Sequence, residues 1–127
     1  MKKKEYAVLR MPKPGGFVHE ALWLQSSRLV IDFSRECGVR VRHECSMVMS
    51  AERVRTQYIQ GEFLSDWEIL ARADGLASIR RYDLVAYNCE HFVRELVGAE
   101  RTSPQIMAGA MFGLAVSAAI ATRLATL

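Results

Sequence analysis

Apolar and polar positions along the first hundred residues change period several times, and each change marks an element. Tyr6–Met11 has an extended, apolar-rich pattern suited to an edge strand, and Pro12-Lys13-Pro14-Gly15-Gly16 behind it has turn composition. Phe17–Leu24 and Arg28–Phe33 are apolar-rich and separated by Gln25-Ser26-Ser27, which predicts a β-hairpin with a short loop. Gly38 breaks the chain, and Val39-Arg40-Val41-Arg42-His43 then alternates with period two, predicting a half-exposed strand. From there the spacing turns helical. Ser50 stands where a cap belongs for a helix over Ala51–Ile59 ended by Gly61. Ser65-Asp66-Trp67-Glu68 is a capping-box pattern and predicts a helix from Asp66 to about Ala73, before Gly75. Asn88 is a favoured N-cap, Glu90 puts negative charge in the first turn, and Phe92, Val93, Leu96 and Val97 recur at helical spacing. That predicts a helix over Cys89–Val97, stopped by Gly98. Strands early and helices late predict an α+β fold, a small antiparallel sheet packed with helices, and not a parallel βαβ array.

The pattern disappears after Arg101. Ile106–Thr122 is 17 residues without a charge, at the lower end of the about 17–25 that span a bilayer. Gly109, Gly113, Ser117 and Ala121 place small residues along one helical face, and Arg101 and Arg123 flank the segment. A helix of this composition has no polar face with which to cover a soluble domain. The expected organisation is therefore a domain over 1–105 and a hydrophobic C-terminal helix over 106–127 that anchors in a membrane, with the Gly109/Gly113 face open to self-association.

Composition narrows the partners. The 127 residues leave room for one core, and the formal net charge of +3 is mild. Basic residues are scattered apart from Lys2-Lys3-Lys4, with no aromatic-and-basic stripe, so nucleic acid is not an expected partner. Three cysteines, Cys37, Cys45 and Cys89, are odd in number and lack Cys-x-x-Cys pairing. They argue against a disulfide framework and against zinc, no cofactor is expected, and a reducing, cytoplasmic compartment for the domain fits best.

Cys89 is the residue that carries candidate chemistry. At the first turn of a helix, unpaired backbone N–H groups favour a thiolate, which is how a nucleophilic cysteine is made. A buried structural cysteine meets the same local pattern, and geometry alone leaves both readings open. A nucleophile needs a base, and there are three histidines. His91 is two positions beyond Cys89 on the same helix and projects to another side, as a helix residue bonded to a neighbour. His43 ends an alternating strand, as a core or rim histidine. His19 begins an apolar strand after a Pro/Gly turn. Tyr82 and Tyr87 bracket the approach to Cys89, as packing residues or as donors to an oxyanion, and the Cys89 amide is a further donor. Trp23, Trp67, Met47 and Met49 read as packing.

Asn88-Cys89-Glu90-His91-Phe92-Val93 resembles the catalytic motif of the lecithin:retinol acyltransferase family. The resemblance extends through Glu68-Ile69-Leu70-Ala71-Arg72-Ala73 and Tyr82-Asp83-Leu84 upstream, Ser103-Pro104-Gln105 downstream, and His19-Glu20-Ala21-Leu22-Trp23-Leu24 near the N-terminus, covering most of Phe17–Gln105. It implies a permuted papain-like fold, Cys89 as nucleophile and His19 as general base. In the family a second histidine or another polar residue stands in the strand after the hairpin. Val30-Ile31-Asp32-Phe33 takes that place, with Asp32 its only polar residue. Asp32 is therefore either the orienting partner of His19 or a strand-end aspartate in a turn with Ser34. The resemblance implies a cysteine-dependent acyltransferase or phospholipase that takes a phospholipid or other acyl donor through an acyl-thioenzyme. A cysteine amidase or peptidase of related permuted fold is the enzymatic alternative. A non-catalytic membrane-tethered interaction module is the alternative outside enzymes.

Overall fold

In the computed structural model, which describes residues 2–13, 15–46 and 54–99, five strands form one sheet in the order β4-β3-β2-β1-β5. These are β1 (Lys3–Pro12), β2 (Val18–Leu24), β3 (Leu29–Ser34), β4 (Gly38–His43) and β5 (Arg55–Glu62), and every neighbouring pair is antiparallel. Two helices complete the fold, α1 (Asp66–Ile79) and α2 (Cys89–Leu96). The α+β expectation holds. The C-terminal helix expected over 106–127 lies outside the described residues. Among the described residues no helix is long and apolar enough to cross a membrane.

Alternation along the strands gives the sheet two unlike faces. Tyr6, Val8, Leu22, Leu24, Ile31 and Phe33 point to one face and are buried there with Ile69 of α1 and Phe92, Val93 and Leu96 of α2. Leu9, Ala21 and Val30 form a smaller cluster on the other, flanked by Met11, Trp23 and Val54.

Three local expectations are overturned. The segment read as a helix over Ala51–Ile59 contains strand β5 from Arg55, with residues 47–53 outside the described residues. Eight residue pairs join β5 to β1, from Lys3↔Glu62 to Arg10↔Arg55. The backbone groups along that side of β1 need partners, and this non-local pairing outweighs the local helical spacing. For the same reason β1 is an interior strand between β2 and β5, not an edge. Helix α1 has the expected capping box, Ser65 Oγ accepting from the Glu68 amide and Glu68 from the Ser65 amide, but it runs through Gly75 to Ile79. An interior glycine costs only about 1 kcal/mol, and continuing the helix buries Leu76.

Helix α2 is tied to the sheet at its far end. The Glu62 amide donates to the Val97 carbonyl at 2.8 Å, and a Cβ added to Gly61 would collide with that carbonyl oxygen and lie 2.9 Å from the Val97 Cβ. Gly98, at φ 69°, closes the helix in the left-handed conformation glycine tolerates. With one end pinned and the inner face packed, the opposite end, where Cys89 sits, has a set position over the start of β2.

Candidate active site

The first turn of α2 is built by Asn88. Its Oδ1 accepts from the amides of Glu90 at 2.9 Å and His91 at 3.3 Å, and its Nδ2 donates to the Leu84 carbonyl at 2.9 Å. The Asn88 amide donates to His91 Nδ1 at 3.0 Å, completing a reciprocal cap, and the His91 ring stacks on Tyr87 with centroids 6.1 Å apart. His91 thus shapes the turn that presents Cys89. The thiol is buried, 5% exposed, with the Glu20 amide donating to its sulfur at 3.5 Å and the Val18 carbonyl 3.9 Å away. Cys37 and Cys45 are exposed free thiols.

His19 meets Cys89 from β2. Its Nε2 lies 3.0 Å from Asp32 Oδ2, and its ring also hydrogen-bonds the Cys89 sulfur. With Nε2 taken by the carboxylate, Nδ1 is the nitrogen left for the sulfur. The register explains the pair. Ala21 is opposite Asp32, so His19, two residues earlier on the same face, is the diagonal neighbour of Asp32, within reach of a long side chain. Asp32 is fully buried and points at His19, not into a turn with Ser34. His43 is exposed, at the far end of β4, where its Nδ1 accepts from the Cys45 amide.

The electrostatics follow from this packing. Burial works against a charged His19 ring, but hydrogen bonds to Asp32 and Cys89 outweigh it and raise its pKa from 6.5 to about 9. Burial likewise works against an ionised Asp32. Hydrogen bonds from His19 and Arg40 prevail and hold the carboxyl below its ordinary 3.8. An imidazolium at neutral pH, flanked by a carboxylate and a sulfur, is an arrangement that can move a proton between a thiol and a bound oxygen.

Several residues of the site were not singled out in the sequence. Arg40 Nε and Nη2 donate to Asp32 at 3.3 and 3.0 Å, and Arg42 adds a contact of 3.4 Å. Period-two alternation already puts both arginines on one face, and a tight β3–β4 hairpin places Arg40 opposite Asp32, so the signal was present. Beneath the thiol, Arg94 of α2 donates to Glu20 Oε2 at 2.9 Å and to the Glu90 carbonyl at 3.1 Å, a buried link between the strand bearing His19 and the helix bearing Cys89. Burial pushes the Glu20 carboxyl up despite Arg94. Nothing in the spacing of residues 20 and 94 announces that contact.

A cleft of about 700 Å³ opens over these groups, lined by His19, Cys89, Phe17, Tyr82, Leu84 and the β3–β4 turn. Phe17 and Leu84 are partly exposed there, and Val85 beside them is exposed. Asp83 Oδ1 accepts from the Val85 and Ala86 amides at 2.9 and 2.8 Å, so the turn that presents Leu84 and Val85 is internally hydrogen-bonded. Burial, with the charge of Cys89, raises the Tyr82 phenol above its ordinary 10, which keeps it a proton donor facing the cleft. Tyr87 is buried, with its hydroxyl 3.2 Å from Glu95 Oε1. Trp67 is 80% exposed and not a core residue, while Trp23 donates to Glu44 at 2.8 Å. Among the described residues there is no cluster of three His, Cys, Asp or Glu side chains suited to a metal ion.

Compared with known families, residues 13–101 match the family model described as Lecithin retinol acyltransferase. No curated protein and no solved structure matches the chain.

Proposed function

The chain belongs to the lecithin retinol acyltransferase family, which fits an acyltransferase or phospholipase, and from that premise we propose a cysteine-dependent enzyme acting on phospholipid esters. The observation that carries the reading is the His19 ring held between Asp32 and the sulfur of a helix-start cysteine. In the reactive pair the thiol proton already resides on His19, whose charged ring Asp32 supports, and the Cys89 sulfur adds to the ester carbonyl carbon. The oxyanion that forms is met by the Cys89 amide and the Tyr82 hydroxyl. The carbon–oxygen bond then breaks, the departing alcohol takes the proton from His19, and the acyl group is left on sulfur. An acceptor (water, an amine or an alcohol) gives its proton to His19, attacks the thioester and releases the thiol. Asp32 accepts from Nε2 throughout and favours the charged ring.

The exposed apolar side chains of Phe17 and Leu84 that line the cleft support an amphiphilic substrate, since such side chains at a cleft suit an acyl chain. The test is mass spectrometry of the full chain after incubation with phosphatidylcholine vesicles. An acyl adduct on the peptide containing Cys89 is expected. Its absence, or an adduct confined to Cys37 or Cys45, would overturn the reading. Adding phosphatidylethanolamine and measuring N-acylated product against free fatty acid separates transfer from hydrolysis.

Membrane attachment is proposed through residues 106–127, on the strength of the uncharged run Ile106–Thr122. The domain would face a reducing, cytoplasmic compartment. A chain ending at Gln105 is expected in the soluble fraction and the full chain with membranes. Full-length protein that stays soluble without detergent would count against the anchor.

A further inference from the structure

We propose that Arg40, seconded by Arg42, is a positioning residue that acts on His19 through Asp32, fixing the carboxylate toward the ring while taking up part of its charge. The proposal rests on the reading of His19 as the proton carrier and extends it to β4, where nothing so far has been assigned a role.

The geometry is specific. Arg40 is directly opposite Asp32 in the β3–β4 register and grips it as a fork, Nε to Oδ1 at 3.3 Å and Nη2 to Oδ2 at 3.0 Å. Arg42, the next residue on the same face, reaches the same Oδ2 at 3.4 Å. Oδ2 is also the atom 3.0 Å from His19 Nε2, so a single carboxylate oxygen is shared by one imidazole and two guanidinium groups. Asp32 is fully buried on β3 and has no room to turn away. The charged groups that face it are His19 from β2 and Arg40 and Arg42 from β4, while Asp32 and Cys89 face His19.

A buried carboxylate whose sole partner was His19 would hold the imidazolium tightly and oppose return of the proton to the leaving alcohol. Two guanidinium groups on the same oxygen weaken that hold, because a hydrogen-bonded cation withdraws charge and repels the second cation next to it. Arg40 also fixes the plane of the carboxylate, which a flexible ammonium would not do in the same way.

The readout is the titration of His19, followed by NMR on the full chain, where the other histidines are only His43 and His91, together with the alkaline limb of the kcat/KM profile. Arg40→Gln is expected to move both upward by about half a pH unit or more, since a cation is removed from the shared oxygen. Asp32→Asn moves them downward. This opposition of sign is what a merely structural role would not produce. Arg40→Lys, which keeps the charge without the fork, is expected to restore the titration but only part of kcat. Arg42→Gln should act in the same direction as Arg40→Gln and more weakly. If Arg40→Gln leaves the His19 titration unchanged or lowers it while the variant stays folded, the proposal is overturned. Should Arg40→Gln fail to fold, Arg42→Gln carries the test, and an unchanged His19 titration there also overturns it. Because the titration needs no turnover, failure to detect acyl transfer would sink the proposed reaction without touching this result.

Discussion

Replacing Cys89 with alanine is expected to abolish the acyl adduct and to lower turnover by on the order of 10⁴-fold or more, since the other thiol lining the cleft, Cys37 in the β3–β4 turn, has no hydrogen bond to the His19 ring. The fold should survive. The first turn of α2 is held by Asn88, by the His91 ring and by the buried pair of Arg94 with Glu20, none of which uses the sulfur. Losing one small buried thiol costs roughly 1–2 kcal/mol at most. Cys45→Ala, at an exposed site away from the cleft, serves as the control and should keep its activity. Turnover retained in Cys89→Ala, measured on a phospholipid with the thermal melt unchanged, would remove the central claim.

Asp32→Asn is expected to lower kcat/KM by roughly 10²–10⁴-fold, because an amide in that place holds the imidazole in the wrong tautomer and no longer favours its charged form. The variant also has a signature in stability. His19 is more basic in the folded chain than its ordinary value, so its contribution is fully present below pH 6.5 and is lost as pH rises through about 9. Asp32 is shifted the other way, and its contribution is present above 3.8 and lost as pH falls below that value. The wild-type Tm should therefore fall between about pH 6 and about pH 9.5, by at least about 4 °C for a domain of this size. In Asp32→Asn that fall should shrink, because burial alone would lower the His19 pKa and the hydrogen bond to Asp32 is the largest influence raising it. A variant with the wild-type rate, or with the same alkaline loss of Tm, would show that Asp32 does not govern His19. Asp32→Ala is the less informative change, since it removes the partner of His19 and of both half-exposed arginines at once and leaves a cavity where the carboxylate was buried.

Much of the frame was legible before any coordinates. The caps at Ser65 and Asn88 are short-range features, set by side chains that bond amides three residues away, and both are present. Period-two alternation from Val39 to His43 likewise depends only on neighbouring residues. The helix expected before Gly61 failed because its competitor, the unpaired side of β1, lies about fifty residues away in the chain and leaves no mark on local spacing. Trp67 failed similarly. An aromatic in the first turn of a capped helix looks like packing, and whether anything covers it depends on distant elements.

By itself, the sequence determined the α+β class, the two capped helix starts, and the presence of a cysteine and a histidine set at the starts of a helix and a strand, since each follows from short-range bonding or periodicity. Only the tertiary structure decided which histidine lies beside the thiol and which side chains Asp32 bonds. Those outcomes depend on strand register and on the point where β5 pins the end of α2, and register is fixed by pairing across the sheet, not by any one segment. The buried partnership of Arg94 with Glu20, and of two arginines with one carboxylate, arose the same way. Charges withdrawn from water must find one another in space, and the chain separation between them is immaterial.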